Sequence, residues 1–568
     1  LFHLGSAAPV GKDGGMTSRL AIYHPPGRID LGANPFGKDV ANIQLFRALA
    51  AHGGFEQIDV VGHANFTPAD FTQDLLQGRP SPTRVGAADL FDQARIAQSG
   101  ALLRGQPYLD TLAWLRRGAV GDRAYSLVGL SHTLAPPAVR EMIAAAVLAP
   151  VQPWDAVICT SPAVQSALTA MFEEWCDHLG ARFGGKDRPM PRLPLIPLGV
   201  DLGRFTAQAD RPDIRAALRA ELGLGEKDVL VLWVGRLSFF EKAFPQPMLR
   251  AVEAATQATG AKVHFAMAGW FPDEKLQKAA YQQAAAAYAP SVQVSFPNGN
   301  DPQTVSRLWA GADVFISLVD NIQETIGITP LEAMASGLPV VASDWDGYRY
   351  TVRDGIEGFL IPSLGAPAGP IGQRMLDRHA LGVDSYQLYV GAVAQHTAIH
   401  VGRCGEALAE LIRSPELRAR MGAAGRERVK TFLDWPVVVA RYQELFDELT
   451  GIRASAKETP GARRNPVKVD PFEAFAGFAN QVLAPDTPLS VPAGAGLADL
   501  ERARGLTLDT FAGKWRATHE ECARALELVA TGQGATVGAV AAHFPPERRI
   551  YVALGIAWMC KLGILDWL

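Results

Sequence analysis

The chain is poor in cysteine, has no long apolar run and carries no excess of one charge. Its 568 residues include five cysteines, Cys159, Cys176, Cys404, Cys522 and Cys560, which are scattered and form no Cys-x-x-Cys pair. An odd, dispersed set of thiols argues against a disulfide framework or a zinc site and fits a reducing compartment. The longest apolar stretch, near Met142 to Val151, is short, rich in alanine and broken by prolines, so it does not read as a membrane span. The first residues, Leu1-Phe-His-Leu-Gly-Ser, have no basic segment leading into an apolar core. They do not read as a signal peptide, and a cytoplasmic location is expected, with at most peripheral membrane contact. A net charge of −4 gives no bulk attraction to nucleic acid or acidic membranes. Hydrophobic content of 48% with 20% charged residues is that of a folded protein, not a disordered one.

The length suggests several domains. Short apolar runs alternate with stretches of helical spacing. Leu20 to Tyr23, Ile58 to Val61, Ala101 to Arg104, Ser126 to Leu130, Ala156 to Cys159 and Leu193 to Ile196 read as strands. After a connecting segment, Ile196 to Phe205, the alternation starts again at Val229 to Val234 and continues through Val263 to Ala268, Val292 to Ser295, Val314 to Ser317, Val340 to Ala342 and Phe359 to Ile361. Strands alternating with helices predict parallel sheets, hence an α/β fold with two doubly wound domains in succession. The expected boundaries are 1–205 and 206–450, then a polar linker, 451–480, and a small helical module, 481–568.

Four stretches carry candidate chemistry. In Glu324-Thr-Ile-Gly-Ile-Thr-Pro-Leu-Glu332 two carboxylates stand seven residues apart, between a strand and a helix-forming run. Carboxylates accept from sugar hydroxyls, and the amides of Thr325, Ile326, Gly327 and Ile328 at a helix start attract phosphate. Thr329-Pro330-Leu-Glu332 also reads as a capping box, with Thr329 as the cap. In Val234-Gly-Arg236-Leu-Ser-Phe-Phe-Glu-Lys242, Arg236 and Lys242 could hold a diphosphate; the same residues also read as a solvated loop with a surface Glu241–Lys242 pair. His132 follows an apolar strand, and Gly37 lies in Asn34-Pro-Phe-Gly37-Lys38-Asp39, a loop entering a helix that Asp39 could cap. Asp344-Trp-Asp346 has the form of a divalent-metal motif, but its residues are also those of an ordinary turn, and no metal is expected.

Together these pieces resemble the family-4 retaining glycosyltransferases of GT-B fold. The matching text is Ser131-His132-Thr133-Leu134, Asp155-Ala-Val-Ile-Cys-Thr-Ser161, Ile196-Pro-Leu-Gly-Val-Asp201, Val234-Gly-Arg236 with Lys242, Glu324 to Glu332, and Gly337-Leu-Pro-Val-Val-Ala342. The resemblance covers roughly the first 450 residues. It implies two Rossmann-like domains facing a cleft. It also implies a nucleotide-sugar donor, such as a UDP- or GDP-sugar, as co-substrate with no cofactor. By the same resemblance Arg236 and Lys242 would bind the donor phosphates, Glu324 the sugar and Glu332 the ribose. The amides of Thr325, Ile326, Gly327 and Ile328 would face sugar and diphosphate, His132 would bond the sugar, Gly37 would line the phosphate side, and a last helix, about Trp435 to Leu449, would cross back to the first domain. The chain departs from the family at Glu324-Thr-Ile-Gly-Ile, where Glu-Gly-Phe-Gly is common. Its usual glycine pair is reduced to Gly37, its Arg236–Lys242 spacing is one residue longer, and an insertion around Gly365 to Tyr389 lies outside the match.

The expected activity is metal-independent transfer of a hexose with retention, in glycan or glycoconjugate synthesis. Nucleotide-sugar epimerisation, sugar phosphorolysis and non-catalytic binding of a sugar nucleotide or a protein partner are the rivals. The terminal module is loosely winged-helix-like. Its basic residues are matched by acids, which argues against DNA binding, and its apolar Trp558, Met559, Leu562, Ile564, Leu565 and Trp567 suggest a core or a docking surface for a partner or a second copy.

Overall fold

The computed structural model describes residues 18–25, 28–29, 36–62 and 66–567. Two compact units divide at Asn465 and Pro466. The larger holds two six-stranded sheets. The first comprises β1 (Arg19–Tyr23), β2 (Gln57–Gly62), β3 (Arg84–Asp89), β4 (Ala101–Arg104), β5 (Ser126–Leu130) and β6 (Ala156–Ile158), in the order β3-β2-β1-β4-β5-β6. The second comprises β7 (Val229–Val234), β8 (Val263–Ala268), β9 (Gln293–Ser295), β10 (Val314–Ser317), β11 (Val340–Ser343) and β12 (Gly358–Ile361), in the order β12-β11-β10-β7-β8-β9. Every pairing in both sheets is parallel. Each is a Rossmann-like sheet whose strand order reverses once, between β1 and β4 and between β7 and β10. Such a reversal opens a crevice at the C-terminal strand ends.

The unbroken apolar text of the central strands has its reason here. Both faces of each sheet are covered, so Val229 to Leu232 and Val314 to Ile316 are fully buried, as parallel sheets require. At the edges the structure holds one strand that the sequence did not show and lacks one that was expected. Edge strand β3 has no apolar run because it is largely half-exposed. Leu193 to Ile196, expected as a strand, makes only isolated bridges, Arg192 to Ala156 and Leu195 to Cys159, beside edge strand β6; Pro191, Pro194 and Pro197 lack the amides a ladder needs.

The helix Trp435–Ser455 extends past the expected end and into residues read above as linker. Its Val438, Val439, Tyr442, Phe446 and Leu449 share one core with Leu20, Phe46, Leu49 and Ile58 of the first domain. The two domains also meet across their sheet ends: Thr325 Oγ1 donates to the His132 carbonyl at 2.9 Å, and Ser161 Oγ donates to Asp346 Oδ1.

The second unit, taken by itself, packs the helices Leu497–Arg504, His519–Ala530, Val537–Ala542 and Arg549–Lys561, with a short antiparallel pair of Leu489–Ser490 and Asp566–Trp567. Met559, Ile564 and Leu565 lie in its core, whereas Trp567 is exposed and donates to Gln481. Phe472, Phe475, Phe478, Leu508, Phe511 and Trp515 are exposed. No helix among the described residues is long and apolar enough to cross a membrane.

Candidate active site

β7 delivers Arg236 to the crevice two residues beyond its end. The guanidinium lies over the rings of Phe36 (5.1 Å) and Trp270 (5.9 Å), and Nη1 is 2.8 Å from Glu241 Oε2. Glu241 is therefore not half of a surface pair with Lys242. It is buried beneath Arg236, and Ser238 Oγ donates to it at 3.3 Å. Lys242 turns the other way and donates to Glu324 Oε2 at 2.8 Å. Arg236, Lys242 and Glu324 thus gather at the ends of β7 and β10. Each cation is held by one carboxylate and is largely but not wholly withdrawn from solvent.

The loop after β10 continues through Glu324 into the helix Ile328–Ala335. The expected capping box is absent. The helix starts at Ile328, one position ahead of Thr329, and Gly327 is its N-cap with φ +64° and no side-chain cap. Glycine is required there, because a Cβ would lie 2.2 Å from the Tyr348 ring and φ is in the left-handed region. The amides of Thr325, Ile326, Gly327 and Ile328 donate to no protein acceptor among the described residues. Unsatisfied amides ahead of a helix form a ready anion site. The Ile326 side chain is buried in the first domain's core, so only its backbone is left to meet a ligand.

Released from capping, the Glu332 carboxyl has no hydrogen bond or ion pair among the described residues. Burial pushes its pKa up to about 7, against a smaller opposing pull from Arg204. A raised carboxyl pKa lowers stability as pH climbs from the unfolded value through the folded one. Glu332→Gln will therefore raise the melting midpoint of the ligand-free protein at pH 8 but not at pH 5. If Glu332 accepts from ribose hydroxyls, the same change weakens nucleotide binding at pH 8; thermal melts with and without UDP at both pH values check the pair.

His132 follows β5. Its Nε2 is 2.8 Å from Asn42 Oδ1 and 3.1 Å from the Gly105 carbonyl. Both partners are acceptors, so the proton is assigned to Nε2 and the free lone pair to Nδ1. Burial lowers its pKa to about 4, with the Gly105 bond opposing and Lys38 adding. At neutral pH the ring is uncharged, and only Nδ1 remains to accept from a ligand. Gly37 opens the helix Gly37–His52, and a Cβ there would meet nothing within 4 Å. Asp39, expected as the cap, lies inside the first turn, and Phe36 is the N-cap; Asn34 and Pro35 lie outside the described residues.

Asp344 and Asp346 have separate partners. Asp344 pairs with Arg349 at 3.1 Å, and Asp346 accepts from Ser161. Burial raises the Asp346 pKa to about 6, with Glu324 among the smaller contributors. Asn42 and Ser161 were not visible as site residues in the sequence, because each acts through a partner far along the chain; Glu241 was read as a surface residue and Asp346 as part of a turn. A third unseen residue is Arg104, at the end of β4. Its guanidinium lies over Tyr23 (5.4 Å) and Tyr108 (5.3 Å), donates to the Tyr108 carbonyl and Gln106, and has no ion-pair partner among the described residues. Its Nε is buried without an acceptor.

Residues 214–366 match the family model of glycosyl transferases group 1. The segment contains Arg236, Glu241, Lys242, Glu324 and Glu332, whereas His132 and Gly37 lie before it. The D-inositol 3-phosphate glycosyltransferase of Nocardia farcinica is 34% identical over 179 residues, 31% of this chain and 37% of that protein. Its namesake in Rhodococcus jostii is 28% identical over 254 residues, 44% and 52% of the two chains. The chain thus spans between about a third and a half of the length of these curated relatives. Among solved structures, Anabaena HepE in complex with UDP and glucose is 16% identical, with 76% of this chain and 99% of that one covered and a TM-score of 0.46. WaaG, a glycosyltransferase of lipopolysaccharide biosynthesis, is 13% identical, with 75% and 99% covered and a TM-score of 0.44.

Proposed function

We propose that the chain transfers a hexosyl group from a nucleoside-diphosphate sugar to an acceptor hydroxyl, with retention at the anomeric carbon. The observation that carries this reading is one convergence: Arg236, Lys242 and four amides without a protein acceptor among the described residues, Thr325 to Ile328, gather where the second parallel sheet reverses its strand order, between β7 and β10. The group 1 match over the same residues supports it.

In the transfer, the bond between the anomeric carbon and the diphosphate oxygen breaks, and its electron pair leaves with the nucleoside diphosphate. Arg236, Lys242 and the amides stabilise that charge as it develops. The acceptor oxygen attacks the same face, and its proton passes to the departing phosphate. Glu324 is engaged by Lys242, so it orients sugar hydroxyls rather than acting as a free nucleophile. Neutral His132 accepts a sugar hydroxyl at Nδ1. The site as drawn needs no metal. Incubation with a panel of nucleotide-sugars tests the reading. Release of nucleoside diphosphate that depends on an acceptor supports it. Conversion of donor without acceptor marks an epimerase, dependence on inorganic phosphate marks a phosphorylase, and binding without turnover leaves a sugar-nucleotide carrier.

On the acceptor side, Arg104 has no ion-pair partner among the described residues and is set between two tyrosine rings at a strand end. It favours an acceptor bearing an anionic group, consistent with the inositol phosphate in the names of the two curated relatives. A charge-assisted hydrogen bond contributes about 1.5–3 kcal/mol, so Arg104→Gln is expected to raise the acceptor KM by about tenfold or more with the donor KM unchanged. Steady-state kinetics with each substrate varied check this. For the second unit, the exposed Phe472, Phe475, Phe478 and Trp515 favour a role in docking a protein partner or a second copy; a monomer in sedimentation that captures nothing would end that role.

A further inference from the structure

Residues 363–399 form an excursion from the second domain. A short antiparallel pair, Ser363–Gly365 with Thr397–Ile399, encloses two helices, Pro370–Ala380 and Tyr386–Ala394. Nearly all of it lies beyond the family match, which stops at residue 366. The helix Pro370–Ala380 has no buried residue, so the excursion adds little to the core. It is nonetheless tied together internally. His379 stacks on Tyr389 at 5.2 Å with rings 6° from parallel, Arg378 forms two hydrogen bonds to Asp384, and His379 Nδ1 is 3.0 Å from the Asp384 carbonyl.

The second helix meets the candidate site at three points. Tyr386 OH donates to Gln323 Oε1 at 2.8 Å. Gln387 Nε2 donates to Glu241 Oε1 at 3.4 Å. Gly391 packs so closely on Phe240 that a Cβ there would lie 2.8 Å from the Phe240 Cβ. These partners are adjacent to the residues that hold the cations. Gln323 precedes Glu324, the carboxylate on Lys242. Glu241 is the carboxylate on Arg236. Phe240 lies in the loop between the two cations. Gln323 then donates onward to the Glu241 carbonyl at 3.3 Å, and Asn321 donates to the Phe240 carbonyl at 2.7 Å. The two loops are thereby tied to each other, and the helix is tied to both. The loop that is one residue longer than its family pattern is the one this helix braces.

We infer that the helix Tyr386–Ala394 is a built-in brace for the phosphate-binding loops, with Tyr386 and Gln387 as positioning residues that hold Arg236 and Lys242 on the departing diphosphate. The inference rests on the reading of this site as a nucleotide-sugar site and deepens it. Cations aimed at charge that develops late must be held before it appears. Slack in the two loops therefore falls on kcat more than on donor KM.

The test compares the full-length protein with Tyr386→Phe, with the double variant Tyr386→Phe/Gln387→Ala, and with Leu388→Ala, on an exposed position of the same helix. Hydrogen–deuterium exchange at residues 239–244 and 320–324, without ligand, is read beside turnover of a UDP- or GDP-sugar. The expected result is faster exchange in both loops for the two Tyr386 variants. It comes with a fall in kcat of about tenfold, the size of one lost hydrogen bond, donor KM within about twofold, and no change in Leu388→Ala. Unchanged exchange in the loops overturns the brace whatever the activity. Faster exchange with full kcat, or an equal fall in Leu388→Ala, overturns it as well. If exchange rises but the wild-type protein neither turns over nor binds any UDP- or GDP-sugar, the brace of the loops stands and the proposed function fails.

Discussion

Arg236→Ala will lower kcat/KM by about a hundred- to a thousandfold, the loss of about 3–4 kcal/mol typical when a donor aimed at developing charge is removed. The change has a second consequence that must be separated from the first. Glu241 lies buried 2.8 Å from Nη1, and alanine would leave its carboxylate in the protein interior with only the neutral donors Ser238 and Gln387 and no cation, which destabilises strongly. The double variant Arg236→Ala/Glu241→Gln removes both charges. Its melting midpoint should return toward that of the wild-type protein while its rate of nucleoside diphosphate release stays low. If the double variant recovers activity along with stability, Arg236 supports the fold and the phosphate role is lost.

The largest effect on stability is expected at Asp155. Its two carboxylate oxygens take the Arg116 guanidinium at 2.7 and 2.8 Å and also accept the amides of Leu127 and Gln152. Both side chains are fully buried. Removing one partner of a buried pair costs about 3–5 kcal/mol, and here two backbone amides lose their acceptor too. Asp155→Ala should abolish the cooperative unfolding of the first domain in urea or leave the protein insoluble. Asp155→Leu with Arg116→Met should recover part of the loss, because it leaves no charge unpaired. A wild-type urea midpoint for Asp155→Ala would refute the assignment.

Asp155 also shows what could be read from the sequence and what could not. It opens Asp155-Ala-Val-Ile-Cys-Thr-Ser161, one of the stretches that carried the resemblance. The structure separates its two ends. Asp155 holds β6 to β5 from below, and Ser161 reaches across the cleft to Asp346. The alternation of buried strands and helices was legible because both faces of a parallel sheet demand continuous apolar text, and Arg236, Lys242 and Glu324 could be singled out because they lie in the loops that follow such strands. The edge strand β3 was not, since half-exposed residues carry no such demand. Glu241 was misread as a surface residue because its neighbour Lys242 offers an obvious partner in sequence, whereas burial turns it toward Arg236. Glu332 was read as half of a capping box because Thr329-Pro330 has the right spacing. Gly327 caps the helix two positions ahead of Thr329 and leaves that carboxyl out of any capping box. The brace at Tyr386 and Gln387 had no signal, since its hydrogen bonds join residues more than sixty positions apart.

The chain passes between the domains twice, and both passages run side by side. Val200 N donates to the Leu433 carbonyl at 2.9 Å and Trp435 N to the Val200 carbonyl at 3.2 Å, while Gly199 lies so close to the Trp435 indole that a Cβ would fall 2.5 Å from the ring. The two crossings are thereby tied to each other at one point. Any change in the angle between the domains would have to bend residues 199–200 and 433–435 together, and a side chain at position 199 would push the Trp435 indole out of that crossing.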